Sequence, residues 1–408
     1  MKILLINKYL FPKGGDAITT LATGDLLKTK GHDVLYWGMD HSLNTEFSLK
    51  EYFVRYCDYD NDCGFIEKAR VSSNILFSLE AKNKVEKLIL KEKPDLVHLN
   101  NFAHQISPSI LYAFRKYKIP TVMTMHDYKL VCPSYTMFVD GHVCEKCKKR
   151  AFYQCVVNKC VKNSLFKSCL SMFEMYLHHN ILNVYDLVDV FVSPSLFLKE
   201  KLRGMGFKKD IEYLPNFVVP NRKAEPSASE NKHFAYLGRL SAEKGLSALV
   251  EAIKGTDFIL DIIGDGPLRE SLSNKTRNES IFNVNILGYK SGKDLEKAMG
   301  HVMAVVISSE WYENNPRSVL DSFARGKPVV GARIGGIPEL VRDNETGWTF
   351  EAGNVNDLRD KLLFCADNPD KARSMGIKAR QFVEQNFNQD LHYQKLMEIY
   401  TMALNKNK

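Results

Sequence analysis

The chain has 408 residues, 45% hydrophobic and 25% charged, an ordinary globular composition and long enough for two separately cored domains. Its formal net charge of +8 suits anionic company such as nucleotides, phosphates, anionic lipid or nucleic acid, or serves solubility alone. Only four apolar residues separate Lys2 from Asn7, too few for a secretory signal core, and no apolar run approaches bilayer length, so a cytoplasmic protein is expected.

Lys2–Ile6 reads as a short buried strand, and Pro-Lys-Gly-Gly at 12–15 as a turn. Asp16 suits the cap of a helix running to about Lys30 and closed by Gly31. Further strands are expected at 34–37, 95–99 and 120–125, with helices at 79–92 and 108–117. After a cysteine-rich stretch come a helix at 164–184, a strand at 188–192 and a helix at 195–203. Residues 215–232 are proline-rich, polar and aperiodic, as in a linker. Beyond it the alternation restarts. Strands are expected at 234–238, 257–264, 284–287, 303–307 and 328–332. Helices are expected at 245–254, 267–276, 292–299, 316–325 and 337–342, with a last amphipathic one at 391–404. Such repeated strand–helix order argues for parallel sheets covered on both faces. The expected fold is α/β: a Rossmann-like doubly wound domain over 1–214 with a cysteine-rich insert at about 132–169, a linker at 215–232, and a second such domain over 233–388. The two face a cleft, and a helix at 389–408 packs back on the first.

Ligands in such sheets bind beyond the carboxyl ends of the strands. After the first strand, Gly14-Gly15 let backbone approach a phosphate, although no Walker or GxGxxG pattern surrounds them and a plain tight turn explains them equally. After 120–125 stands His126, able to exchange a hydrogen bond with a hydroxyl, or simply satisfied by backbone. After FAYLG come Arg239 and Lys244, which suit a diphosphate: Arg forks across two oxygens and Lys supplies a point charge. Gly264, Asp265 and Gly266 form a loop that permits close ligand approach. The stretch SSEWYENNPRSVLDSFARGKP leaves the strand at 303–307 with Glu313, Asn314 and Asn315, places Pro316 at the first helical position and Asn315 at the cap, and carries Asp321 one turn on. The free N–H groups of that helix favour an anion. A capped surface helix with Asp321 exposed is the plainer reading.

In this order, GRLSAEKG, LDIIGDGP, the acidic pair Glu313 and Asp321, and ARGKPVVGARIGGIPELV resemble the retaining glycosyltransferases of family 4, with the GT-B fold, over nearly the whole chain. The resemblance implies a UDP- or GDP-sugar donor and transfer of a hexose-type sugar to an acceptor hydroxyl, in bacterial surface polysaccharide or glycolipid synthesis. Arg239 and Lys244 would hold the departing diphosphate. Glu313 would bond donor-sugar hydroxyls, with Asn314 and Asn315 nearby, and the helix starting at Pro316 would face the phosphates. Asp321 would take the ribose, His126 would sit beside donor sugar and acceptor, and Gly14-Gly15 would line the phosphates. The family usually has Glu where Asp321 stands, one methylene longer. Preplaced cations replace a catalytic metal in this scheme, and no such metal is expected.

The nine cysteines are odd in number, and six fall within 132–169. Cys144-x2-Cys147 is a knuckle spacing, and four thiolates from Cys132, Cys144, Cys147, Cys155 and Cys160 would hold a structural zinc; idle reduced thiols are the rival. The resemblance favours Cys132, Cys144, Cys147 and Cys160. The same segment is rich in lysine and aromatic residues, which suits an anionic membrane presenting a glycan or lipid-linked acceptor, or a solvated loop. Two rivals stand outside the transferase reading. One is a sugar-nucleotide epimerase, which needs no acceptor. The other is a zinc-knuckle nucleic-acid binder, which leaves the strand-end motifs unexplained; no nucleic acid partner is expected.

Overall fold

The computed structural model describes residues 1–44, 49–56, 65–219 and 232–406. Residues 220–231 of the expected linker and the last two of the expected terminal helix lie outside them. The chain divides into two units: Met1–Met137, Glu145–Pro215 and His392–Lys408 in the first, Phe138–Cys144 and Asn216–Leu391 in the second.

Unit 1 is built on six parallel strands: β1 (Lys2–Ile6), β2 (Asp33–Trp37), β3 (Leu96–Leu99), β4 (Thr121–Thr124), β5 (Val190–Ser193) and β6 (Ile211–Tyr213), in the spatial order β6-β5-β4-β3-β1-β2. Unit 2 repeats the plan with β7 (His233–Leu237), β8 (Ile259–Ile263), β9 (Val284–Gly288), β10 (Ala304–Ile307), β11 (Val329–Ala332) and β12 (Gly347–Phe350), ordered β9-β8-β7-β10-β11-β12. The strand LVHL of β3 and AVVI of β10 are buried along their whole length, as expected of parallel strands covered on both faces.

Several expected boundaries move. Helix α1 spans Gly15–Thr29 with Gly14 in extended backbone at its N-cap, so Asp16 sits in the first turn and is not the cap. The helix expected at 164–184 breaks: α2 covers Leu165–Tyr176, then a wide π-turn runs through Leu177–Ile181 and a tight turn through Val184–Leu187. The break buries His178, whose ring donates to the carbonyl of Leu76 (2.7 Å), and Asn183 takes the left-handed conformation that ends the turn. Edge strands β6 and β12 carry too little periodicity to be seen in the sequence.

The terminal helix, here Gln389–Lys406, brings residues from 392 onward into unit 1. His98, in the middle of β3, sits between the Tyr400 hydroxyl (2.8 Å) and Thr124 Oγ1 (2.7 Å). The His392 ring donates to the carbonyl of Pro215 (2.9 Å), and Lys406 Nζ to that of Asp189 (2.9 Å). Burial, aided by the neighbouring His126 and His392 rings, pushes the His98 imidazole down to about 3. A depressed histidine binds a proton more readily unfolded than folded. Its stabilising contribution is therefore complete above the ordinary value near 6.5 and fades as pH falls towards 3. Acidification from pH 7 to pH 5 should cost about 2 kcal/mol through His98 alone. Urea melts of the wild type and His98→Gln at both pH values check this: the variant should lose less stability between them, and equal losses would remove His98 as the cause.

Candidate functional site

In unit 2 the strand order reverses between β7 and β10, so the loops leaving their carboxyl ends part and open a crevice. The loop after β7 carries Arg239 and Lys244, and the loop after β10 runs from Ser308 to Pro316. The two are stitched together. Ser308 Oγ donates to the Lys244 carbonyl (2.8 Å), and the Glu310 N–H to that of Glu243 (2.9 Å). At their junction Lys244 Nζ donates to Glu313 Oε1 (2.6 Å), and Ser309 Oγ donates to the same oxygen (2.6 Å). Burial alone would raise the Glu313 carboxyl, but the charge and hydrogen bond of Lys244 and the Ser309 hydroxyl hold it below its ordinary value. Lys244 Nζ also lies 4.9 Å from the centre of the Trp311 ring.

Arg239 is exposed, and its guanidinium makes no ion pair among the described residues, while its carbonyl accepts from the Tyr236 hydroxyl (2.9 Å). The Gly264-Asp265-Gly266 loop packs against it: Leu240 N–H donates to the Asp265 carbonyl (2.9 Å). Gly264 has φ +154°, and a Cβ there would strike the carbonyl of Gly238. The Asp265 carboxylate is exposed and occupied locally, by the N–H of Gly266 (2.7 Å) and by Arg269 (3.1 Å).

Two expectations for the next helix are corrected. Helix α4 is only Arg317–Phe323, and Pro316 stands at the cap position, one residue outside the helix. Asn315 does not cap it. Its side-chain oxygen accepts from the Asn216 N–H (3.2 Å), and its carbonyl accepts from the Asn216 amide (3.2 Å), so its polar groups fasten the start of unit 2. Asn314 lies half-buried beside Glu313. Asp321 is half-exposed and paired with Arg317 one turn earlier (3.3 Å).

The motif ARGKPVVGARIGGIPELV contains Gly335 and Gly336, but no site role was assigned to them. The Gly336 N–H donates to the Glu313 carbonyl (2.7 Å). Gly335 has φ +61°, and a Cβ there would strike the Glu313 backbone. A glycine pair ahead of a short helix was the signal.

In unit 1 the order reverses between β1 and β3. His126 follows β4, and its Nε2 lies 2.9 Å from Oδ1 of Asn100, the residue after β3. Burial lowers the imidazole, against the pull of Asp16, so His126 is neutral near pH 7. Gly14 and Gly15 open α1 after β1, with Gly15 exposed. Lys8, also just past β1, is lowered by burial while Asp16 and Asp127 oppose that shift. Asp16 keeps one buried carboxylate oxygen without a hydrogen-bond partner. Asn100, Lys8 and Asp16 were not marked as site residues in the sequence, where HLNN and NKYL carry no distinctive spacing.

None of the seven described cysteines is in a disulfide. Cys155 is driven up by its contact with Cys160 and by burial, with Cys132 and Cys147 also close. Cys144 lies in the segment that groups with unit 2. Ligand atoms of a tetrahedral zinc–thiolate site lie about 3.8 Å apart. Among the described residues, the group of three or more potential ligands whose atoms all lie within 4.8 Å is His233, Asp261 and His301, not a set of cysteines.

Residues 13–222 match the family model described as Glycosyltransferase Family 4, and residues 220–382 the one described as Glycosyl transferases group 1. A 42.6 kDa protein from the cps region of Klebsiella pneumoniae is 27% identical over 84% of this chain and 88% of its own length. The amylovoran biosynthesis glycosyltransferase AmsK of Erwinia amylovora is 27% identical over 44% of this chain and 47% of its own. Among solved structures, HepE of Anabaena in complex with UDP and glucose has a TM-score of 0.70 at 18% identity, covering 98% of this chain and 99% of its own. Sucrose-phosphate synthase from Thermosynechococcus elongatus has a TM-score of 0.72 at 16% identity, covering 99% of both chains. The two six-stranded parallel units are those of the GT-B fold.

Removing one partner of a buried ion pair strands the other charge. Lys244→Ala should therefore lose about 3 kcal/mol of stability. Adding Glu313→Gln should restore at least half of that loss in chemical denaturation. An unchanged midpoint for the single variant would show that the pair carries no desolvated charge.

Proposed function

The chain belongs to glycosyltransferase family 4, and on that premise we propose that it moves a hexose-type sugar from a nucleoside diphosphate sugar to an acceptor hydroxyl with retention of anomeric configuration. The observation that carries the reading is the meeting of Lys244 and Glu313 at the strand-order reversal of unit 2, beside the exposed Arg239. As the glycosidic bond to the donor breaks, negative charge grows on the outer phosphate. Preplaced cations favour that charge over the ground state and so speed the step. Lys244 and Arg239 are the cations in place. Glu313, kept ionised, accepts from sugar hydroxyls, with the backbone of Asn314 and Asn315 beside it. Helix α4 has only two turns, so the side-chain cations take most of the electrostatic work assigned to this end of the site.

Asp321 reaches ribose hydroxyls by giving up part of its contact with Arg317, or through a water. Neutral His126, oriented by Asn100, exchanges a hydrogen bond with the acceptor or donor sugar and carries no full charge. The polysaccharide setting is supported by the similarity to AmsK and to the cps-region protein. A UDP-sugar donor is supported by the fold shared with HepE, whose complexes contain UDP and UDP-glucose.

The insert extends the reading to a membrane surface. Phe166 (68% exposed) and Phe173 (49%) stand seven residues apart on one face of α2. The short helix Gln154–Val157, with exposed Val157, packs beside it. Lys146, Lys148, Lys149, Lys159, Lys162 and Lys167 surround these residues in sequence. Apolar anchors among lysines suit an anionic bilayer presenting a lipid-linked acceptor. Among the described residues, no helix is long and apolar enough to cross a membrane.

A thermal-shift panel of UDP-, GDP- and ADP-sugars tests the donor reading, since a ligand that binds only the folded state raises its melting point. At least one should stabilise the protein, and silence across the panel would sink the reading. With that donor, Lys244→Ala should lower turnover about 100- to 1,000-fold. Weaker donor binding with unchanged turnover would remove its role in the transition state. Sugar conversion without any acceptor would assign an epimerase instead. Vesicles containing anionic lipid should sediment the protein at low salt, and Phe166→Ser with Phe173→Ser should release it. No sedimentation at low salt removes the membrane surface.

A further inference from the structure

At the amino end of the unit 2 sheet, away from Arg239 and Lys244, lies a second cluster. His233 opens β7, Asp261 stands in the middle of β8, and His301 follows helix α3 (Gly292–Gly300) on the way into β10. Parallel register pairs Ala235 with Asp261 and Asp261 with Asn285. Side chains alternate along a strand, so His233, Asp261 and Asn285 share one face of the sheet. The His301 ring closes over them, its centre 4.3 Å from that of His233. Along β7 the cluster is roughly 20 Å from Arg239, six residues at about 3.3 Å each.

Asp261 Oδ2 lies 3.0 Å from His233 Nε2 and 3.5 Å from His301 Nε2. Two atoms bound to one tetrahedral zinc at about 2.0–2.1 Å lie about 3.3 Å apart, so the observed separations bracket that edge. A plain hydrogen-bonded triad fits less well. His233 is only 8% exposed, and its Nε2 is buried with no hydrogen-bond partner, although the carboxylate oxygen is close. The pair is close in distance yet does not satisfy the buried Nε2, which leaves that nitrogen available to a ligand. Asn285 Nδ2 donates to the other oxygen, Asp261 Oδ1 (2.9 Å), which fixes the carboxylate and leaves Oδ2 towards the imidazoles. His301 is 47% exposed on its side chain, giving a cation a way in from solvent.

We propose that His233, Asp261 and His301 form a site for a divalent transition metal of the zinc type, with its fourth position open to water. Two imidazoles and one carboxylate suit such a cation, and an open fourth position is usual for three protein ligands. The ion ties the first strand of unit 2, its neighbour β8 and the turn between α3 and β10 to one point. It lies apart from the donor loops and stands or falls independently of the transferase reading.

Full-length protein stripped of metal by chelator is titrated with Co2+ and followed by visible absorption, and with Zn2+ by thermal melting. One Co2+ per chain should give the visible bands of a nitrogen–oxygen site, without the near-ultraviolet thiolate band that the cysteines would produce. Zn2+ should raise the melting temperature. His301→Ala changes a half-exposed side chain, so its fold is expected to persist, with circular dichroism as the check. It should weaken Co2+ binding at least tenfold and abolish the zinc-induced shift. Asp261→Asn should do the same, and Asn285→Ala should weaken Co2+ binding roughly tenfold with the ligands intact. Absence of Co2+ uptake by the wild type, uptake only with the thiolate band, or equal uptake by wild type and His301→Ala would each overturn the proposal.

Discussion

The ion pair between Lys244 and Glu313 organises unit 2. Both groups have surrendered much of their water, a cost that only close geometry and extra hydrogen bonds offset. Ser309 supplies one such bond, and the Gly335-Gly336 turn pins the Glu313 backbone from behind. An ammonium held this way is already desolvated and already aimed. An anion reaching it would compete with one carboxylate oxygen for it, with little reorganisation of solvent.

The same logic recurs in unit 1 with milder chemistry. Each sheet reverses its strand order once, and at each reversal the polar residues sit just beyond the strand ends. Unit 2 places strong charges there. Unit 1 places amides, a neutral imidazole and a lysine whose proton is loosened by burial. The first set suits an anion, and the second suits neutral hydroxyls, whose recognition depends on direction more than on charge.

Strand–helix alternation was legible because buried parallel strands such as AVVI are short apolar runs bounded by loops. The terminal positions of Arg239, Lys244 and Glu313 followed from it, since a strand's carboxyl end is a sequence feature. What escaped was mostly what depends on partners. Asn100 gains meaning only through His126, which lies 26 residues away. Asn315 looked like a cap because capping is local, whereas its actual partner, Asn216, is 99 residues distant. The helix expected at 164–184 ran on because helical spacing cannot register a histidine drawn into the interior by a distant carbonyl. His233, Asp261 and His301 come from three separate segments and show no ligand spacing at all.

The return of the terminal helix makes unit 1 discontinuous, with most of unit 2 inserted between Pro215 and His392. A ribosome delivers the chain in one direction, so most of unit 2 has emerged before unit 1 receives its closing helix. Until then His98 lacks the Tyr400 hydroxyl and the carbonyl of Pro215 lacks the His392 ring. The first unit to begin synthesis is thus the last to be completed. Its buried β3 face waits for that helix to emerge, and apolar surface left open in the interval is the kind that invites aggregation or chaperone capture.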